Sequence, residues 1–278
     1  MAGFEWQEEF ELALSIVQDV SRIFIPAFSS PKVIATKSQA NDLVTETDKA
    51  IERAIFSLIK KKYPADSLIG EEEEEESVWG RARTWIVDPI DGTMMFVHQN
   101  PDTCISIGFS VDMSMQFGVV YNPITRELFT GRCGFGAQLN GAPIKVSGVT
   151  AITSALLSTC IVSHLPHLSA INCGNITRLC SDPEPCHGLR ATGSSVLALC
   201  SVAAGFTDAF WITGVHIWDM AAASVVLREA GGCLLSTVTG EEFDFRRRRV
   251  IAAGSQALAS TLQSKIEPLP EGVYSFDP

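Results

Sequence analysis

The 278-residue sequence predicts a mixed α/β fold of layered helices and sheets, one domain with lobes of about 1–145 and 146–278. Three observations predict it. Helical periodicity marks two amphipathic segments near the N-terminus, a meander of short β-prone runs fills the middle, and strand–turn–helix units return in the last third. No internal repeat is visible in the sequence.

Composition sets the outer limits. Hydrophobic residues make up 46% and charged residues 19%, ordinary for a globular chain. The net charge of −11 speaks against a nucleic-acid partner, because the phosphate backbone would be repelled. By run length, no apolar stretch reaches the roughly 18 residues of a membrane span, and the acidic start M-A-G-F-E-W-Q-E-E-F-E is unlike a signal or transit peptide. The eight cysteines (Cys104, Cys133, Cys160, Cys173, Cys180, Cys186, Cys200, Cys233) form no C-x-x-C pair, and several lie in apolar runs. They read as reduced thiols of a cytoplasmic protein. Cys173, Cys180, Cys186 and His187 match no common zinc spacing.

Between Glu8 and Phe24 the apolar positions Phe10, Ala13, Leu14, Val17, Val20 and Phe24 recur at three and four, predicting a helix ended by Pro26. A loop from Ser29 to Asn41, containing Lys37, leads to D-L-V-T-E-T-D at 42–48. There Thr47 or Asp48 is expected to cap a second helix with Ile51, Ala54, Ile55, Leu58 and Ile59 on its core face; Asp42 shares this helix start. S-L-I-G then reads as a strand running into the glutamates 71–76. Glu71 follows the strand directly, whereas Glu73 to Glu76 read as a solvated run; the register leaves Glu72 open as a substitute.

Trp85, Ile86 and Val87 form a buried strand that leaves the core at Asp88. Pro89 cannot extend a ladder, so the chain turns through Asp91 and Gly92 to Thr93. Two acids and a hydroxyl at a strand's end suit a hard divalent cation, though a solvated D-G turn reads the same residues equally well. Strands C-I-S-I-G-F-S-V, Q-F-G-V-V-Y-N and R-E-L-F-T-G follow, and Asn140-Gly141 signals a hairpin. Residues 163–185 are expected to be loops with one short helix.

In G-L-R-A-T-G-S-S-V-L-A-L-C a strand leads to a helix with Val196, Leu199 and Cys200 on one face. Its start would leave the N–H groups at Gly193, Ser194 and Ser195 for an anion, unless Ser merely caps. A further helix is expected to open at Asp219 and stop at Gly231-Gly232, and Arg246 to Arg249 read as a surface run before a last strand. Glu71, Asp88, Asp91 and Asp219 thus all lie at strand exits or helix starts. With Thr93, Gly193 and Ser194 they suit two or three Mg²⁺ ions and a phosphate.

These segments resemble the inositol monophosphatase family: G-E-E at 70–72, W-I-V-D-P-I-D-G-T at 85–93 and W-D-M-A-A-A…E-A-G-G at 218–232. The likeness runs from D-L-V-T-E-T-D at 42–48 to R-R-V-I-A-A at 248–253. It implies an αβαβα sandwich, a homodimer, and Mg²⁺-dependent, Li⁺-sensitive hydrolysis of inositol 1-phosphate or a similar small phosphate monoester. By position, Glu71, Asp88, the Ile90 carbonyl, Asp91 and Asp219 match metal ligands. Thr93 with Asp48, and Glu71, match the groups that activate water, and Lys37 matches a lysine near the site. Asp91, Gly92, Thr93, Gly193, Ser194 and Asp219 match substrate contacts.

Two departures stand out. Met94 and Met95 replace a polar pair, and Ile212 stands where the family places an inositol-contacting Glu. An aliphatic side chain accepts no hydrogen bond from a hydroxyl, so another sugar or polyol phosphate, histidinol phosphate, or a scaffold role without turnover are the competing readings. The sequence has no G-x-S-x-G, P-loop or G-x-G-x-x-G motif.

Overall fold

The computed structural model describes residues 4–30, 34–36, 43–72, 79–161, 166–181 and 183–268. Two helices, α1 (Gln7–Ser29) and α2 (Glu46–Lys62), are joined through an antiparallel ribbon of β1 (Ile34–Thr36) and β2 (Leu43–Thr45). A seven-stranded sheet follows in chain order. Its strands are β3 (Ser67–Gly70), β4 (Thr84–Asp91), β5 (Cys104–Val111), β6 (Ser114–Asn122), β7 (Glu127–Arg132), β8 (Gly136–Leu139) and β9 (Ala142–Pro143). Only the β3–β4 pair is parallel, and the five-residue α3 (Thr93–Val97) follows β4.

The rest of the chain supplies β10 (Leu156–Cys160), α4 (Pro166–Ser181), β11 (Gly188–Thr192), α5 (Ser195–Ala203), β12 (Ala209–Thr213), α6 (Ala221–Glu229), β13 (Cys233–Leu235), β14 (Arg249–Ala253) and α7 (Gln256–Lys265). The strands form a five-stranded sheet in the order β11-β10-β12-β14-β13.

Alternation along the strands sorts the core. Trp85, Val87, Ile107, Phe109 and Phe117 face α1 and α2, meeting Phe10, Val17, Phe24, Ile51, Ile55 and Ile59. Ile86, Cys104, Val120 and Phe129 face the other way, where α5, α6 and the second sheet bury Val196, Leu199, Val226, Phe210, Ile212 and Val250. The second sheet's outer side, with Leu157, Trp211 and Ile251, is covered by Leu179 of α4 and Leu258 and Leu262 of α7. The stacking is α1/α2, sheet, α5/α6, sheet, α4/α7, the expected αβαβα sandwich.

Several local expectations are corrected. Pro26 lies inside α1, which continues to Ser29. The proline gives up one i→i−4 bond, and the continued turn packs Phe28 against Phe96 in the core. The α2 cap is Thr45, not Thr47 or Asp48: its side chain accepts the Thr47 and Asp48 N–H groups, while Asp48 reaches back to the Thr45 N–H. Residues 166–181 form a sixteen-residue helix, longer than the short one expected. Helix α7 is additional, capped by Ser255. By length and composition α1 is long and apolar enough to cross a bilayer, which the run-length criterion missed. Its apolar face lies in the core instead.

Helix α6 sits unusually close to the first sheet because glycines lie beneath it. A Cβ at Gly118 would stand 2.0 Å from the Ala222 carbonyl oxygen, and one at Gly131 would stand 2.7 Å from the Val226 Cα. Both obstacles are backbone. Gly118→Ala is therefore expected to destabilise the fold by ~1–3 kcal/mol or more in urea unfolding. Gly174→Ala, where a Cβ meets nothing within 4 Å, should be neutral or stabilising by up to about 1 kcal/mol. Equal effects would refute the close-approach account.

Candidate functional site

The site is built around a bulge in β4. Asp88 pairs with Ser106 and Asp91 with Cys104, so three residues of advance on β4 match two on β5. In a regular strand Asp88 and Asp91 would point to opposite faces; the extra residue, at Pro89-Ile90, puts both on one face. Pro89 favours this break because it has no N–H to contribute to the ladder. Asp88 Oδ1 closes the bulge by accepting the Ile90 N–H at 3.0 Å. Gly92 then takes φ +82°, and a Cβ there would lie 2.8 Å from the Asp102 carbonyl oxygen.

Asp219 completes the group from the loop before α6. One carboxylate oxygen from each of Asp88, Asp91 and Asp219 lies within 4.8 Å of the others. Asp219 is no N-cap, since α6 begins at Ala221; its Oδ2 accepts the His216 N–H at 2.6 Å. Glu71 follows β3 and is not one of this closest trio, but its charge acts on Asp48, Asp91 and Asp219. The Glu72 N–H is bonded to Glu52 Oε2 at 3.0 Å at the start of the glutamate block. Lys37, Asp42 and Glu73 to Glu76 lie outside the described residues.

Beside the trio, Thr93 Oγ1 lies 3.1 Å from Asp48 Oδ1 and 3.2 Å from the Ile90 carbonyl oxygen, two acceptors for one hydroxyl proton. Asp48 Oδ2 is held by the Thr45 N–H and hydroxyl. Asp48 thus closes the capping box of Thr45 through one oxygen and meets Thr93 through the other.

The start of α5 differs from expectation. Two of its N–H groups, at Gly193 and Val196, already go to the chain's own acids, and that of Leu197 goes to the capping Ser194 hydroxyl. Ser194, the N-cap, donates its hydroxyl to Asp91 Oδ2, which also accepts the Val196 N–H at 3.1 Å. The Gly193 N–H goes to Asp102 Oδ2 at 2.6 Å. Asp102 was not singled out from sequence, where nothing marks it. Met95 packs against the Gly193 Cα, where a Cβ would stand 2.1 Å from its Cγ, so Met95 fills space there. Ile212 is 2% exposed within the core.

Burial raises three acids. Asp48 is pushed up to about 6, with the Thr45 hydroxyl opposing and Glu71 adding to the rise. Asp91 rises to about 7 through burial, against the Ser194 and Val196 bonds, with Glu71 and Asp102 adding to it. Asp219 rises to about 7 through burial and then through Asp91 and Glu71, with His216 opposing. An all-oxygen trio pressed by further negative charge fits a hard divalent cation, by donor type and by charge.

This fold and acid-lined site define a class: phosphoric monoester hydrolases of the αβαβα type. The chain belongs to the inositol monophosphatase family, which it matches over residues 5–271. It is 42% identical to inositol monophosphatase 1 of Rattus norvegicus over 269 residues, 95% of this chain and 96% of the rat protein. It is 38% identical to inositol monophosphatase 2 of Homo sapiens over 276 residues, 98% of this chain and 95% of the human protein. Among solved structures, the extragenic suppressor protein suhB from Bartonella henselae superposes with a TM-score of 0.82 at 30% identity, covering 96% of this chain and 100% of that one. The inositol monophosphatase from Anabaena superposes with a TM-score of 0.80 at 28% identity, covering 95% and 98%. The chain is accordingly a hydrolase of small phosphate monoesters.

The pKa shifts set a sign for pH dependence. Asp91 and Asp219 lie above the ordinary 3.8, so the cation-free folded chain holds protons that the unfolded chain releases. Their contribution to stability is full below about pH 4 and is lost as pH rises through about 7. A saturating divalent cation should therefore raise the melting temperature more at pH 8 than at pH 5.5. A shift independent of pH would contradict this.

Proposed function

We propose that the protein hydrolyses inositol 1-phosphate, or a closely similar polyol or sugar phosphate, using Mg²⁺ and water. The observation that carries this is the Asp88, Asp91 and Asp219 trio beside the Thr93–Asp48 pair. In this reading Glu71, Asp88, the Ile90 carbonyl, Asp91 and Asp219 hold two or three Mg²⁺ ions. Bound there, the ions would neutralise phosphoryl charge and lower the pKa of water.

The protein's own part is orientation and proton transfer. Thr93 Oγ1 takes a proton from the attacking water as it passes its own to Asp48 Oδ1. An Asp48 value near 6 suits a base working close to neutrality. Glu71 assists from the end of β3, and Gly92, Gly193 and Ser194 shape the substrate's seat with Asp91 and Asp219. Ile212, buried in the core, offers no acceptor to a substrate hydroxyl.

The same proposal takes the chain as one two-lobed domain dividing near residue 145. It also includes a homodimer in the cytoplasm and inhibition by Li⁺. The eight free thiols accord with a reducing compartment.

Phosphate release from a panel of monoesters tests the reading, with and without Mg²⁺ and then with Li⁺. Mg²⁺-dependent, Li⁺-sensitive turnover led by inositol 1-phosphate is expected. A folded, Mg²⁺-binding protein inactive on every ester would point to the scaffold reading instead. Asp88→Asn, Asp91→Asn and Asp219→Asn should each lower kcat/KM by roughly a hundredfold or more, about 2.7 kcal/mol of transition-state stabilisation. Glu71→Gln should cost far more than Glu72→Gln; the reverse order would move the glutamate register by one.

A further inference from the structure

Arg248, just before β14, adopts φ +55°, a left-handed conformation in a residue that carries a Cβ. Such backbone persists where its surroundings hold it, and it clusters near functional sites. Three contacts tie Arg248 to the segment 214–216. Its carbonyl accepts the Gly214 N–H at 2.7 Å. Its Nη2 lies 3.2 Å from the Gly214 carbonyl oxygen and 2.7 Å from His216 Nε2.

A guanidinium can only donate, so His216 Nε2 is the acceptor and the ring is the neutral Nδ1–H tautomer. The imidazole stacks on Trp218, with centroids 4.5 Å apart and planes at 5°. The His216 backbone meets Asp219 twice: its N–H donates to Asp219 Oδ2 at 2.6 Å, and its carbonyl accepts the Asp219 N–H at 3.2 Å. A continuous set of contacts therefore runs from Arg248 through His216 to the carboxylate that completes the acid trio.

We propose that Arg248 is a positioning residue, which by clamping His216 sets the orientation of the Asp219 carboxylate toward a bound divalent cation. The inference rests on the reading of the trio as a cation site. Its action is indirect, through the loop rather than through contact with substrate. The sequence placed this arginine in a surface run, because nearly thirty positions of chain separate it from Asp219.

The test uses the full chain and Mn²⁺ as the probe, with Arg248→Gly, Arg248→Ala and Arg248→Lys. Mn²⁺ binding is followed by water-proton relaxation without substrate, and the His216 tautomer by ¹⁵N NMR. Glycine accepts φ +55° freely, so Arg248→Gly removes the guanidinium while relieving the backbone. Its cation-free melting temperature should equal or exceed that of Arg248→Ala. Both variants should bind Mn²⁺ at least tenfold more weakly and show mixed His216 tautomers, with Arg248→Lys intermediate. A role in stability alone would instead spare Mn²⁺ affinity in Arg248→Gly. Variants that match wild-type affinity overturn the inference, whereas a wild-type chain that binds no Mn²⁺ overturns the proposed function as well.

Discussion

Everything in this structure has to accommodate carboxylates forced close together in a buried pocket. Asp88 and Asp91 are 1% and 4% exposed, Asp48 is fully buried, and Asp219 and Glu71 press on them from the side. Burial disfavours these charges and crowding adds to the cost until something positive arrives, which the raised pKa values of Asp48, Asp91 and Asp219 express. The protein answers with geometry. Backbone N–H groups at Ile90, Val196, His216 and Thr45 each take one oxygen and fix a direction, leaving the carboxylates preorganised around a shared space. The bulge in β4, the capping box of α2 and the start of α5 all serve this end.

The start of α5 illustrates the division of work. A helix N-terminus ordinarily offers free donors and a positive dipole end to an anion. Here that field acts on Asp91, one of the trio, and on half-buried Asp102 beside it. The dipole stabilises the acids that gather a cation, and in the proposed mechanism the cation rather than the helix meets the phosphate. Buried Cys104 and Cys160, pushed up well above the ordinary thiol range by burial, remain uncharged beside this pocket and add no further negative charge.

Much of this was legible in the chain itself, for physical reasons. The buried strand from Trp85 and the acid–hydroxyl run to Thr93 are local, so short-range stereochemistry announces them, but β4 does not end at Asp88: it runs on to Asp91 through a bulge at Pro89-Ile90 where a turn was expected. Capping was legible in kind but misplaced by a few residues, because D-L-V-T-E-T-D offers several oxygens and only tertiary packing selects Thr45. Helix α7 was missed although Ser255, Leu258, Ala259 and Leu262 carry a cap and a helical period. Asp102 and Arg248 were not legible as parts of the site, since their partners are remote in sequence and neither carries a motif. Met95 and Ile212 were noticed as departures, but whether each bonds, packs or faces substrate depends on neighbours that only the fold supplies.

The glycines under α6 carry one last implication. Asp219 rides just ahead of a helix that rests on the main chain of the first sheet, at Gly118 and Gly131, with no side chain between them. The spacing of this helix from β6 and β7, in the sheet that also bears Asp88 and Asp91, is thus set by atoms common to every amino acid. Substitution at the contact can only lengthen it. A pocket dimensioned in this way keeps its gauge while the surrounding core drifts, and its aperture is protected from one side only: mutation has many routes to a looser site and none to a tighter one.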